Sequence, residues 1–166
     1  MMDYETASFK IELDSGNVLS AECYTPDHPK TVFVFAHGAG AGMSHSFMKE
    51  LSDELARHNM ATLRYNFLYM EQKMKRTDFP AVAHKAVKAA IKKAQEIFPN
   101  IPLLVGGKSF GGRMTSQFLS SNSVSQVKGV VFVGFPLHPA GSPSVERAAH
   151  LPVSYTHLTL PTNREV

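Results

Sequence analysis

The residues best suited to chemistry lie in the segment VGGKSFGG, residues 105–112, where Ser109 stands among four glycines. The segment follows an apolar run and precedes a helical pattern. Two kinds of site use this arrangement. One is a glycine-rich loop whose backbone N–H groups wrap a phosphate beside a lysine and a serine. The other is a sharp strand-to-helix turn that presents a nucleophilic serine.

The phosphate-binding pattern fails where it should begin. It requires G-x-x-x-x-G-K-[ST], and Gly107, Lys108 and Ser109 supply only the end of that pattern. The first glycine should stand at position 102, which is Pro102. Proline fixes its own φ and has no N–H, so the phosphate loop lacks its first donor. The sequence therefore disfavours a nucleotide-binding protein.

The pattern of a nucleophilic turn, G-x-S-x-G, is complete in the residues Gly107, Lys108, Ser109, Phe110 and Gly111. In such a turn the backbone at the serine is strained and small neighbours avoid steric clashes. The helix that follows points its free N–H groups at the reacting centre. The pentapeptide alone is a weak pattern, because a glycine-rich turn can contain a serine by chance.

A second glycine-rich segment, HGAGAG at 37–42, strengthens the interpretation. It follows the predicted strand 31–36. Acyl transfer at a serine needs two backbone N–H groups that hold the developing oxyanion, one from the residue after the serine and one from a loop after an earlier strand. We assign these donors to Phe110 and Ala39, with Gly40 as the alternative to Ala39.

The loop at 37–42 does not fit a dinucleotide fingerprint. A G-x-G-x-x-G pattern that starts at Gly38 meets Met43 where its last glycine should stand, and one that starts at Gly40 meets His45 there. His37 opens the loop, and we expect it to brace the loop by hydrogen bonds. Gly38 and Gly40 are expected to line the pocket or support the loop.

Strands and helices alternate around these two segments. After an opening hairpin, this order predicts an α/β fold with a largely parallel sheet and helices on both faces. The predicted strands are 7–14 and 17–25 (the hairpin), 31–36, 60–67, 101–106 and 127–137. The predicted helices are 46–58, 79–98 and 110–121, and 68–78 is predicted to be a polar connection.

Four separated motifs resemble, in order, those of a known family. They are FAHGAGAGMSHSFM, LRYNFLYME, VGGKSFGGRM and GFPLHPAG. They look like the motifs of small α/β hydrolases related to dienelactone hydrolase, a group that includes testis-expressed proteins. The resemblance covers roughly residues 5–152 and implies a hydrolase-like fold. Leu68 stands where the family pattern leads us to expect proline, which affects a loop and not the chemistry.

The second half of a serine-hydrolase site is missing from the sequence. Ser109 needs a general base and an orienting carboxylate, which in this fold follow the serine as acid and then histidine. After Ser109 the chain offers the carboxylates Glu146 and Glu165, and neither follows a convincing strand. His138 stands at a predicted strand end, and we expect it to line the pocket or cap a loop.

The end of the chain does not continue the alternation of strands and helices. The segment VSYTHLTLPT within residues 153–166 reads like the translation of a sequencing-library adapter. We therefore predict a truncated hydrolase domain at 1–152, which lacks its last strands, and a non-native tail at 153–166. The catalytic acid and histidine would then lie beyond the native sequence present. Strand 127–135 would become an edge of the sheet, and we expect the chain to be poorly soluble.

Composition limits the partners. The net charge of the 166 residues is only +3, and Lys85, Lys88, Lys92 and Lys93 share one segment without interleaved aromatic residues. This pattern is typical of a solvated helix face and not of a nucleic-acid surface. The apolar runs are too short to span a bilayer, so no membrane partner is expected. Nothing in the sequence sets an oligomeric state.

The cysteine content and the histidine spacing exclude other classes of site. Cys23 is the one cysteine, which rules out an internal disulfide and favours a cytoplasmic location. No H-x-x-x-H pair suggests a metal, and no cofactor is expected.

Two functions follow from these observations. The first is a serine hydrolase acting on a carboxylic ester or related small acyl compound, inactive as given because its acid and histidine are missing. The alternative is a non-catalytic interaction module that keeps the fold.

Overall fold

The computed structural model describes residues 4–151, which form one mixed six-stranded sheet with helices packed against it. The strands are β1 (Tyr4–Glu12), β2 (Val18–Pro26), β3 (Thr31–Ala36), β4 (Met60–Tyr65), β5 (Leu103–Lys108) and β6 (Val127–Val133). The helices are α1 (Ser46–Arg57), α2 (Leu68–Glu71), α3 (Pro80–Ile97) and α4 (Phe110–Ser121), followed by a short 3-10 helix, Glu146–Ala148. The predicted tail, 153–166, lies outside the described residues.

The sheet has the order β1-β2-β4-β3-β5-β6. The hairpin β1–β2 is antiparallel and β2 pairs antiparallel with β4, whereas β4, β3, β5 and β6 run parallel. The predicted α/β fold with an opening hairpin and a largely parallel sheet is therefore confirmed.

The strand order places β3 next to β5, and this neighbourhood defines a crevice. After β3 the chain crosses to β4 on one side, and it later returns to β5 on the other side of β3. The loops that leave the carboxyl ends of β3 and β5 therefore diverge, which opens a binding crevice between them. Ala36, the last residue of β3, is paired with Gly107 of β5, so the two loops begin side by side.

Helices cover both faces of the sheet because successive strand residues point to opposite sides. On one face Phe33 and Phe35 of β3 pack with Met48 of α1. On the other face Val32 and Val34 belong to a larger core that includes the buried rows of α3 and α4. The α3 row has helical spacing and is Ala83, Ala86, Val87, Ala90, Ile91 and Ala94.

The prediction for 68–78 was wrong at its beginning. Residues 68–71 form the short helix α2, in which Tyr69 is only 2% exposed. A four-residue helix is too short to show a helical period in the sequence, so its polar neighbours dominated the pattern. The strand predicted at 101–106 runs instead from Leu103 to Lys108, which brings it directly to Ser109. None of the helices within residues 4–151 has the length and apolar character needed to cross a bilayer.

Candidate active site

Ser109 occupies a strained turn between β5 and α4. Its backbone has φ 47° and ψ −109°, a positive φ that non-glycine residues adopt only at an energetic cost. The Ser109 N–H donates to the carbonyl of Val133 on β6 at 3.1 Å, and the Ser109 carbonyl accepts from the N–H of Arg113 at 3.1 Å. Two elements on opposite sides of the turn therefore hold the serine in this conformation.

The glycines of the pattern permit this turn to pack against β3. A Cβ atom added to Gly111 would lie 2.5 Å from the carbonyl oxygen of His37 and 2.7 Å from the Cβ of Ala36. A Cβ on Gly107 would collide with the backbone of Ala36. Real Cβ atoms do not approach backbone atoms so closely. Only glycine therefore fits at both positions if α4 is to pack this close to β3.

The amide of Phe110 is the first candidate donor beside the serine. Phe110 is the first residue of α4, and the first hydrogen bond of that helical turn belongs to the N–H of Arg113. The N–H groups at the start of a helix have no partner within the helix and carry a partial positive charge. The Phe110 amide is therefore free of an intrahelical acceptor.

The orientation of the second candidate donor, the amide of Ala39, follows from the hydrogen bonds of its neighbour. The carbonyl of Gly38 lies 2.8 Å from Nδ1 of His37 and accepts from the Tyr69 hydroxyl at 3.4 Å. The carbonyl and the N–H of one trans peptide point in opposite directions. The Ala39 N–H therefore points away from His37 and Tyr69. The backbone of Gly40, which contains the alternative donor, has a positive φ of 78°.

His37 is fully buried and holds two loops together as a neutral ring. Its Nε2 accepts from the N–H of Phe67 at 3.0 Å, so the proton lies on Nδ1 and is donated to the Gly38 carbonyl. Burial lowers the pKa of His37, while the hydrogen bond with Gly38 opposes that shift. The neutral tautomer therefore joins the end of β4 to the loop after β3.

The far end of the same loop is held by β4 and the residue after it through the backbone N–H and carbonyl of Met43. The Met43 N–H donates to Oδ1 of Asn66 at 2.9 Å, and the Met43 carbonyl accepts from Arg64 at 2.9 Å. Arg64 is fully buried, forms an ion pair with Glu22 and lies over the ring of Tyr24. A second anchor, Glu71, accepts from the Asn66 side chain at 3.0 Å. The loop is thus fixed before any ligand arrives.

A cavity of about 230 Å³ opens beside these groups. It is lined by His37, Gly38, Ala39, Ala41, His45, Met48, Lys108 and Ser109. The structure therefore brings together the nucleophile candidate and the loop that contains one donor candidate. No sequence pattern indicated that four of the lining residues would lie at the site; they are Ala41, His45, Met48 and Lys108. The LRYNFLYME motif was the signal that could have identified the loop anchors Arg64, Asn66, Tyr69 and Glu71.

The remaining predicted residue, His138, is exposed and does not line this cavity. Its Nδ1 lies 2.9 Å from the carbonyl of Pro139. Another histidine, His150, lies 2.7 Å from the hydroxyl of Ser116, about two helical turns along α4 from Ser109. Within residues 4–151, no side chain is hydrogen-bonded to the Ser109 hydroxyl, and no group of three metal-ligating side chains could hold a metal ion.

Solved structures share this arrangement of strands and helices. A dienelactone hydrolase from Anabaena variabilis superposes with a TM-score of 0.67 at 17% identity, over 78% of this chain and 63% of its own. An alpha-beta serine hydrolase homologue from Coxiella burnetii gives a TM-score of 0.69 at 17% identity, over 87% and 67%. An α/β serine hydrolase without lid from Xanthomonas campestris gives 0.67 at 17%, over 86% and 65%. The chain thus spans about two thirds of the length of these proteins.

The family comparison covers most of the sequence. No curated protein sequence matches the chain. The family model described as "Alpha/beta hydrolase domain" matches residues 29–162, a range that includes β3, the loop after it, Ser109 and α4. The similarity to dienelactone hydrolase and to other α/β serine hydrolases agrees with that match. The chain belongs to the α/β hydrolase family.

Proposed function

We propose that this chain is part of a serine hydrolase that cleaves a carboxylic ester or a related small acyl compound, with Ser109 as its nucleophile. The observation that carries the proposal is the backbone of Ser109. A positive φ at a serine, at the end of a central parallel strand and at the start of a helix, is costly and turns the hydroxyl out of the sheet. Such strain is retained where a function requires it.

The chemistry would proceed by acyl transfer. The Ser109 oxygen attacks the substrate carbonyl carbon and its proton passes to a general base, while the carbonyl π electrons move to the oxygen. The amides of Phe110 and Ala39 donate to that oxyanion. When the tetrahedral intermediate collapses, the C–O bond to the alcohol breaks and the alcohol leaves with the proton. Water then attacks the carbonyl carbon of the acyl-enzyme and gives a proton to the base. The C–O bond to Ser109 breaks, the acid leaves, and the serine oxygen takes the proton back.

We place the general base and its carboxylate C-terminal to residue 151. No histidine or carboxylate within residues 4–151 is hydrogen-bonded to the Ser109 hydroxyl, and the α/β hydrolase order of serine, acid and histidine puts both later in the chain. We propose, accordingly, that residues 1–152 are a truncated hydrolase domain and that 153–166 is not native. The 166-residue chain would then have only the weak residual activity that oxyanion donors and substrate binding provide.

We also propose that the protein is cytoplasmic. Its one cysteine, Cys23, is buried in β2, and burial raises the pKa of that thiol to about 12. Cys23 packs in the core and has no disulfide partner within the chain, and a reduced cysteine is typical of cytoplasmic proteins.

The experiment is covalent labelling of the protein extended through its full reading frame. A fluorophosphonate is expected to attach to Ser109, as located by peptide mass spectrometry, because it reacts with activated serines. The adduct should disappear in Ser109→Ala. It should persist in the matched control Ser121→Ala, which removes an exposed hydroxyl from the other end of α4. A full-length, folded protein that takes up no label at Ser109 would contradict the proposal.

A second candidate function is a non-catalytic interaction module that keeps the hydrolase fold. It is favoured by the isolated Ser109 hydroxyl within residues 4–151. The same labelling experiment separates the two candidates, since an unreactive Ser109 in the full-length protein supports the module.

A further inference from the structure

The cavity beside Ser109 contains a cationic side chain and no acidic one. Its eight lining residues include Lys108 and two histidines, His37 and His45, but neither aspartate nor glutamate. Within residues 4–151 Lys108 takes part in none of the ion pairs, which join Arg57, His58, Arg64 and Lys93 to carboxylates. The ammonium group of Lys108 therefore stands at the cavity without a counter-ion from this part of the chain.

Packing holds the Lys108 side chain at the cavity. Its stem lies along the loop after β3, since a Cβ atom placed on Gly38 would be 3.6 Å from Cγ and 3.8 Å from Cδ of Lys108. Its Nζ lies 4.4 Å from the centre of the Phe47 ring. A cation–π contact attracts an ammonium group to the ring face without neutralising its charge. The charge thus stays available to a ligand.

The surroundings of Lys108 add to the positive potential. His45 precedes α1, and its Nδ1 accepts from the Phe47 N–H at 3.2 Å, so in the neutral ring Nε2 carries the proton and is a donor. Two helices, α1 and α4, begin at residues next to this cavity, and the N-terminus of a helix carries a partial positive charge. Each of these features favours a negative group.

We propose that the site takes acyl compounds that carry a second, anionic group, and that Lys108 binds that group. This inference rests on the proposed serine-hydrolase function. In a matched pair of esters, the anionic one gains a charge-assisted hydrogen bond from the ammonium group while the neutral one does not. Lys108 directly precedes Ser109 and lines the same cavity, so an anion bound by Lys108 lies near the nucleophile.

The experiment measures the hydrolysis, by the full-length protein, of two esters that differ in charge and by one methyl group. The anionic substrate is 4-nitrophenyl hydrogen adipate, and the neutral one is its methyl ester. We expect kcat/KM to favour the anionic ester. In Lys108→Met the ratio of the two kcat/KM values should fall about tenfold or more, the typical value of a hydrogen bond to a charged group. Lys108→Arg, which keeps the charge, should retain the preference.

Lys88→Met provides the control, because Lys88 is exposed on α3 and does not line the cavity. Its ratio should equal that of the unchanged protein. A protein that hydrolyses both esters equally, or a preference that survives in Lys108→Met, would overturn the inference but leave the hydrolase proposal standing. A protein that hydrolyses neither ester and takes up no fluorophosphonate at Ser109 would overturn both.

Discussion

At the scale of single residues, the candidate site depends on a backbone conformation that its neighbours impose. Ser109 has a positive φ, and its carbonyl and N–H are both hydrogen-bonded to other elements. The strain is held because α4 lies close to β3, and that closeness requires Gly107 and Gly111. The backbone conformation of Ser109 therefore depends on the glycines on either side of it.

Replacing Gly111 by alanine tests this dependence. The new methyl group would meet the His37 carbonyl at 2.5 Å, and backbone cannot give way cheaply. We expect Gly111→Ala to lower the free energy of unfolding by about 1–3 kcal/mol, the usual cost of overpacking, as measured by urea denaturation. Gly38→Ala is the matched control, since its methyl group would find ordinary contacts at 3.5 Å or more. Equal stability of the two variants would refute the packing argument.

The buried His37 makes stability depend on pH. Its pKa in the folded protein lies below the value of about 6.5 for an exposed histidine. As the pH falls through about 6.5, the histidine of the unfolded chain binds a proton while His37 of the folded protein does not. The free energy of unfolding therefore decreases as the pH falls. Burial also lowers the pKa of His84 and His150, so they add to the same trend.

We therefore expect the free energy of unfolding to decrease between about pH 7.5 and about pH 5.5. The decrease should be smaller in His37→Gln, which has no ring to protonate. His28→Gln, a change in the exposed loop before β3, should leave the decrease as it is. A decrease of the same size in His37→Gln would show that His37 does not contribute.

At the scale of elements, the loop after β3 is held by β4 and α2. His37 and Tyr69 hold the Gly38 carbonyl, and Arg64 and Asn66 hold the Met43 peptide. His37 belongs to the loop itself, whereas Arg64, Asn66 and Tyr69 come from one continuous segment, residues 64–71, which ends in the short helix α2. The segment acts as a support that orients the Ala39 amide, although none of its residues lines the cavity.

Tyr69→Phe tests the support. The change removes the hydroxyl that lies 3.4 Å from the Gly38 carbonyl and keeps the ring packed between Phe67 and Phe110. We expect kcat for an ester in the full-length protein to fall about tenfold with little change in KM, which is less than the hundredfold or more lost with a whole oxyanion donor. Tyr4→Phe, a change on the outer strand β1, loses a hydrogen bond to Asp53 of α1 and should keep its kcat. An unchanged kcat in Tyr69→Phe would show that Tyr69 does not orient the Ala39 amide for catalysis.

The elements around the serine were predictable from the sequence, whereas the support was not. The pattern of glycines around Ser109 and the alternation of strands and helices both arise from local spacing, which a sequence displays directly. Helix α2 has only four residues and shows no helical period, so the sequence predicts a connection where Tyr69 lies. The positions of His45 and Lys108 at one cavity depend on how β3 and β5 are ordered in the sheet, which local patterns do not encode.

At the scale of the whole molecule, β6 is an edge strand within residues 4–151. It pairs with β5 on one side, and most of its residues are only half-buried. An apolar strand with one unpaired side is a template for association with another chain. We propose that in the full-length protein a further strand covers this edge.

The 166-residue chain should therefore self-associate and unfold without strong cooperativity. Sedimentation velocity and thermal unfolding measure both properties, and the protein extended through its full reading frame is the control. We expect the extended protein to be the more stable of the two and to sediment with less association. A 166-residue chain that is monomeric and melts cooperatively would contradict this expectation.

The most direct test of the central claim is a crystal structure of the full-length protein after reaction with an organophosphonate. We predict a covalent bond from the Ser109 oxygen to phosphorus, with the phosphoryl oxygen at hydrogen-bond distance from the amide nitrogens of both Phe110 and Ala39. A phosphoryl oxygen that faces neither amide, or an adduct on another residue, would contradict the account.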